Sequence, residues 1–150
     1  MTFIACDPGI RGVFAVFEPN LIGLYPMSEW KEMLSALSGA TVIGAIEKNH
    51  GIQGQSASST YAQGFSAGLA HGTMELVCAH LLETPAQTWM RNFKVPPGLE
   101  KSARKKWIHA KASTHPIVAG MKVPLYAADA VALGITYLEC PELLATVYGL

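Results

Sequence analysis

The stretch from Phe3 to Phe17, FIACDPGIRGVFAVF, constrains the fold of this chain more than any other. An apolar run rich in β-forming residues leads straight into Asp7. The turn formers Pro8, Gly9 and Gly12 follow, and a second apolar run opens at Val13. The pattern predicts strand, tight turn, strand. A carboxylate closing an apolar strand is costly to desolvate unless a cation meets it. Asp7 therefore has two readings: it shapes the turn by accepting backbone amides, as Asp before Pro-Gly often does, or it faces a positive charge supplied from elsewhere.

Length and composition narrow the frame. At 150 residues, half of them hydrophobic and 15% charged, the chain is expected to fold as a single domain over 1–150 with a substantial core. No apolar run approaches the ~20 residues that span a bilayer, and the N-terminus lacks the basic, apolar and small-residue succession of an export signal. Cys6, Cys78 and Cys140 are odd in number, widely spaced and in apolar surroundings. They are expected to be reduced thiols, which places the protein in the cytoplasm without a membrane partner.

Further along, Leu21 to Tyr25 is expected to be a third strand, and Ser28 to Leu37 a helix ended by Gly39. Thr41 to Ile46 is an apolar strand that closes on Glu47 much as the first closes on Asp7. Lys48 to Ser58 is polar and glycine-rich, a loop attached to Glu47. From Ser59 to about Leu82 the pattern is helical, with Gly64, Gly68 and Gly72 on one face. Each glycine costs a helix about 1 kcal/mol relative to alanine, so another backbone is expected to pack closely there, from the sheet or from a second copy of the helix. Pro85 opens a short segment through Trp89 and Phe93. Ser102 to Thr114 is helical, with Lys101, Arg104, Lys105, Ile108 and Lys111 on one face and Ala103, Trp107 and Ala110 as the face expected to dock. Tyr126 to Leu138 is apolar nearly all round, a buried helix with Asp129 in its first turn; a dipole-favoured acid is the simple explanation of that residue.

Net charge is zero, yet it is unevenly spread. Arg91 to Lys122 holds eight basic residues and one acid, +7, and the remainder of the chain carries −7. Such a division suits a polyanion-binding face beside a cation-binding site. If the strands ending in Asp7 and Glu47 are neighbours and the helix of Asp129 crosses their ends, three carboxylates converge, and cations make that tolerable. Hard oxygen ligands without a His or Cys cluster favour Mg²⁺ or Mn²⁺. Paired ions about 4 Å apart split phosphodiesters, and the basic ridge points to nucleic acid as substrate.

Asp7-Pro8-Gly9 with Gly12, Ile46-Glu47, Ala128-Asp129-Ala130, Gly54-Gln55, Ser58-Ser59, the Gly64/Gly68 helix, Pro85 with Trp89, and Glu100-Lys101-Ser102 follow one another in the order of a known family. The chain resembles the RuvC-type Holliday-junction resolvases of the RNase H-like superfamily, in their phage and bacterial branch. The resemblance implies an α/β fold with a five-stranded mixed sheet flanked by helices, a homodimer, two divalent ions per active site, and paired symmetric nicking of four-way DNA junctions in a bacterial or phage-infected cell. Forks and flaps are further candidate substrates. By matching position, Asp7, Glu47 and Asp129 would be metal ligands and catalytic, with Lys101 near the scissile phosphate. Lys48 would reach a phosphate and His50 would stack in the junction. Arg104, Lys105 and Lys111 are expected to bind DNA from the basic ridge.

One departure stands out. Where the family commonly has an acid or histidine three residues before the Asp129 position, this chain has Tyr126. A phenol is a poor ligand for a hard cation, so the second ion is expected to be weakly held or completed from elsewhere, for example by His109. Two other readings follow: a branched-DNA-binding protein that cleaves poorly because its acid set is incomplete, and a sugar-kinase-like ATPase, for which 150 residues leave no second nucleotide-binding half.

Overall fold

The computed structural model describes residues 1–37, 41–48 and 54–148. Strands β1 (Thr2–Asp7) and β2 (Val13–Glu18) form the expected hairpin, and β3 (Asn20–Pro26) continues the antiparallel run. Helix α1 (Trp30–Ala36) returns the chain to β4 (Val42–Glu47), which lies parallel to β1 with Cys6 opposite Ile46. Helix α2 (Ala57–Val77) leads to β5 (His80–Thr84), parallel to β4. The result is a five-stranded mixed sheet in the order β3-β2-β1-β4-β5, an RNase H-like α/β fold. Helices α3 (Ala86–Asn92), α4 (Lys101–Ser113), α5 (Ala128–Glu139) and α6 (Pro141–Tyr148) complete it.

β1, β2 and β4 are buried on both faces, which explains why they read as continuous apolar runs. Alternation then sorts their residues between two cores. Ile4, Cys6, Phe14, Val16 and Ile46 pack under α1 and α2 with Met33, Ala70 and Met74. Phe3, Ala5, Phe17, Ile43 and Ala45 pack on the opposite side with Trp89, Ile108 and the buried residues of α5. Asp7 and Glu47 share the parity of this second set and so belong to the α5 side of the sheet.

Three expectations need correction. The helix foreseen from Ser59 to Leu82 ends at Val77, and 80–84 is an edge strand. No glycine or proline marks that boundary, and with only Leu82 and Thr84 buried the five-residue strand carries little periodicity of its own. The glycine stripe does not meet the sheet: a side chain at Gly64, Gly68 or Gly72 would find nothing within 4 Å. The close approach of α2 falls on a strand glycine instead, Gly44, where a Cβ would lie 2.5 Å from Met74 Cε and 2.6 Å from Cys78 Sγ. Finally, α4 docks through Ile108 and Ala112, both buried, while Ala103 and Ala110 face solvent. Its long lysine stems cover apolar surface and send their charged heads to partners, so composition alone misassigns the buried face. The end expected for α1 at Gly39 lies outside the described residues. No helix of the described residues is long and apolar enough to cross a membrane.

Candidate metal and nucleic-acid site

The register of β1 on β4 places Asp7 beside Glu47 at the carboxyl ends of two adjacent parallel strands. α5 packs across these strands, and a glycine lets it come close: a Cβ at Gly134 would stand 2.3 Å from the ring of Phe17. At the far end of α5 the hydroxyl of Tyr137 meets that of Thr84 on β5 at 2.5 Å. With the helix seated in this way, Asp129 in its first turn reaches the corner where Asp7 and Glu47 end.

Each carboxylate is held by a different element. Asp7 Oδ1 accepts from the amide of Gly9 at 3.1 Å, so the turn-shaping reading holds for that oxygen. The loop is itself tied to α2, because Ser66 Oγ donates to the carbonyl of Gly9 at 2.8 Å. Glu47 Oε2 accepts from the indole Nε1 of Trp89, a buried residue of α3, at 2.7 Å. Asp129 Oδ2 pairs with Lys105 Nζ at 3.2 Å, whereas its Oδ1 is buried without a hydrogen-bond partner. The contacts of Trp89 with Glu47, Ser66 with Gly9 and Lys105 with Asp129 are ones that sequence reasoning missed. The apolar context of Trp89 and the position of Lys105 on a basic ridge gave no sign of them.

The electrostatics are those of a site short of positive charge. Burial pushes the carboxyl of Asp7 upward, and the charge of Asp129 adds to the shift; the Gly9 amide and Lys105 oppose it. Burial also raises Glu47, to about 7, followed by the charge of Asp7. The Trp89 hydrogen bond pulls against this, Asp129 adds a further upward push, and Lys105 again opposes. The three acids thus feel one another. In kind the donors fit a hard divalent ion: all are carboxylate oxygens, and Asp129 Oδ1 is an orphaned buried acceptor of the sort an ion would satisfy. Among the described residues, however, no three His, Cys, Asp or Glu side chains are spaced to hold one ion between them.

Beside this corner lies a cleft of about 400 Å³ lined by Asp7, Gly9, Ile10, Arg11, Lys105, Leu125 and Tyr126. Tyr126 is therefore a neighbour of Asp7 and Lys105, as its position in the chain suggested. The other basic residues scatter. Lys101 is exposed at the first turn of α4. Arg104 turns to a separate cleft with Gln87, Arg91 and Pro97. Lys48, at the end of β4, stands 3.9 Å from Glu83. Lys111 donates to the carbonyl of Phe93 and lies 4.4 Å and 5.2 Å from the ring centres of Phe93 and Trp107, so its charge is spent inside the fold. His109 Nε2 donates to the carbonyl of Val123 at 2.8 Å, which turns it away from the part of an extra ligand. His50 lies outside the described residues.

Against solved structures, the chain superimposes on RuvC of Thermus thermophilus in complex with a Holliday junction substrate with a TM-score of 0.65. The match covers 95% of this chain and 96% of that one at 14% identity. The fold is RuvC-like. A second Thermus thermophilus RuvC structure gives a TM-score of 0.63 at 15% identity over the same shares. No protein-family model and no curated protein matches the sequence. In this RuvC-like frame the hydrogen bond from Trp89 to Glu47 is the clearest test of how the acids are oriented. Trp89→Phe keeps an aromatic ring in the core but removes the donor. It is expected to weaken Mn²⁺ binding by about 10- to 100-fold, as loss of a partner that orients a metal ligand commonly does. Titration calorimetry checks this, and an unchanged affinity would mean that the indole serves packing alone.

Proposed function

We propose that the chain is a divalent-metal-dependent endodeoxyribonuclease, one nuclease domain per subunit, that cuts four-way DNA junctions in pairs of symmetric nicks, with forks and flaps as secondary substrates. The observation that carries the reading is the meeting of Asp7, Glu47 and Asp129 at the ends of two parallel strands, with the orphaned Oδ1 of Asp129 among them. Asp7, Glu47 and Asp129 would hold Mg²⁺ or Mn²⁺. When bound there, the ion supplies Lewis-acid activation of water and stabilises charge on the leaving oxygen. Around it the chain orients and neutralises: Gly9 fixes Asp7, Trp89 fixes Glu47, and Lys101 at the start of α4 offsets charge developing on the scissile phosphate. Arg104 and Lys48 meet flanking phosphates, and His50 stacks in the junction. Lys111 is left out, since its ammonium is committed to Phe93. The compartment that fits this substrate is the bacterial or phage-infected cytoplasm.

The deciding experiment incubates an end-labelled four-way junction with Mn²⁺ or Mg²⁺. Symmetric nicks that a chelator prevents are expected. Tight junction binding without nicks would favour the second reading, a branched-DNA-binding protein, for which it speaks that among the described residues no three acids are placed to hold one ion.

Paired nicks call for two copies, and α2 offers a surface for them. Tyr61 and Phe65 stack with ring centres 6.5 Å apart and are 75% and 66% exposed, and Leu76 further along is 74% exposed. Open space over Gly64, Gly68 and Gly72 runs between them. Such knobs beside holes on one helix are self-complementary about a two-fold axis. Phe65→Asp is expected to turn a dimer into a monomer by light scattering and to uncouple the two nicks, leaving the fold intact by circular dichroism. A monomeric parent protein would overturn this part.

A further inference from the structure

The turn between β1 and β2 and the segment before α5 bring apolar side chains out into solvent around one cleft. Ile10 is 65% exposed, Leu125 47% and Tyr126 40%, and all three line the cleft that also holds Asp7 and Lys105. A second cleft of about 400 Å³ adjoins the first. Ile10, Arg11 and Tyr126 line both, and Pro26, Met27 and Ser28 complete the second. Single exposed apolar residues are ordinary. Three from two distant parts of the chain, gathered with an arginine between two clefts, mark a binding surface.

Both sides of this surface are held firmly. Ser66 ties the carbonyl of Gly9, and the amide of Met27 donates to the carbonyl of Gly12 at 2.9 Å. A Cβ at Gly12 would lie 2.8 Å from the carbonyl oxygens of Asp7 and Gly9, so the turn is closely folded. Across from it, Tyr126 belongs to a short 3-10 helix, Leu125–Ala127, whose last residue is fully buried and leads directly into α5. A platform fixed in this way loses little freedom when a ligand meets it. The charges then select the ligand. Arg11 forms no ion pair among the described residues, and it is the one charged side chain in the lining of the second cleft. An apolar slot with a phenol ring and a guanidinium in its lining suits a flat group joined to an anion. A nucleotide is such a ligand: every base offers a π-face to an aromatic side chain, and a guanidinium matches a phosphate.

We propose that Tyr126, with Ile10 beside it, is a stacking platform for one unpaired base of branched DNA, and that Arg11 meets the phosphate of that nucleotide. The proposal rests on the nuclease reading for the choice of DNA, and it adds a contact to a base where that reading names only phosphate contacts on this side of the site. It also gives the phenol a part of its own, since a neutral ring that serves a hard cation poorly serves a base well. Stacking needs only a π-face, so the platform selects a strand that is unpaired, whatever its sequence.

Binding of the full-length protein to a four-way junction, measured in chelator so that no strand is cut, tests this. Tyr126→Ala is expected to weaken binding by about 5- to 100-fold, while Tyr126→Phe, which keeps the ring, binds as the parent protein does. Tyr126→Leu keeps apolar bulk without a ring and decides the matter should the alanine variant fail to fold. Junctions carrying an abasic site at each position next to the crossover in turn supply the second arm. At one position the missing base should weaken the parent protein and cost Tyr126→Ala nothing further. Arg11→Ala should weaken binding and reduce its salt dependence by about one phosphate contact. Full affinity in both Tyr126→Ala and Tyr126→Leu, or equal losses for the parent and Tyr126→Ala at every abasic position, would overturn the inference; nicking by the same proteins with Mn²⁺ would leave the nuclease reading standing. The expected losses in binding without any nicking would overturn the nuclease reading and leave the platform in place.

Discussion

Asp7→Asn is expected to abolish nicking, by about a thousandfold or more, and at the same time to raise the melting temperature of the metal-free protein above neutral pH. The two effects have one cause. Asp7 is pushed toward its neutral form by burial and by Asp129, so above its titration range it is a charge held where the fold resists charge. Asparagine keeps an oxygen for the Gly9 amide and removes the repulsion, but an amide oxygen is a far weaker partner for a divalent ion. Calorimetry in chelator at pH 8, alongside the cleavage assay and junction binding, checks both halves. If the substitution lowers stability and binding together, the hairpin needs the carboxylate for its shape and the metal reading of Asp7 fails.

The second large effect is on pH. Glu47 sits at about 7 in the fold against 4.5 for an ordinary glutamate. Between those values the folded chain binds a proton that the unfolded chain has released, so stability is fully present below about pH 4.5 and is lost as pH rises through about 7. The metal-free protein is therefore expected to be less stable at pH 8 than at pH 5, by at most ~3 kcal/mol from this group. Mn²⁺ should restore the loss at pH 8 and do little at pH 5, where the proton competes for Glu47. Glu47→Gln should flatten the pH dependence and remove the Mn²⁺ effect. Denaturant melts of both proteins at the two pH values measure this; a Mn²⁺ effect of equal size at pH 5 and pH 8 would place the ion away from Glu47.

Much of the frame was legible in the residues. Asp7 and Glu47 stand out because each ends a run otherwise fit for a sheet interior, and Asp129 because its neighbours are alanines in a helix with no polar side. What stayed hidden is what depends on contacts between distant parts of the chain. β5 has too few residues and no punctuation at its start. The docking face of α4 was read from residue polarity, yet lysine stems pack like aliphatic chains when their ends find Asp129 or a carbonyl. Trp89 looks like any core aromatic until its single N–H is seen to point at Glu47. The glycines of α2 were read as a close contact, whereas in the chain by itself they are open space.

The alternation of side chains along β1 has a last consequence. Phe3, Ala5 and Asp7 lie on the same side of the strand, as do Ile43, Ala45 and Glu47 of β4. A slip of either strand by one residue would invert its acid and its apolar residues together. Misalignment of the corner of Asp7 and Glu47 would therefore expose or misplace several core side chains at once. Packing in the interior acts as a proofreader for the placement of the acids at the rim, and a chain that has buried Phe3 correctly has already aimed Asp7.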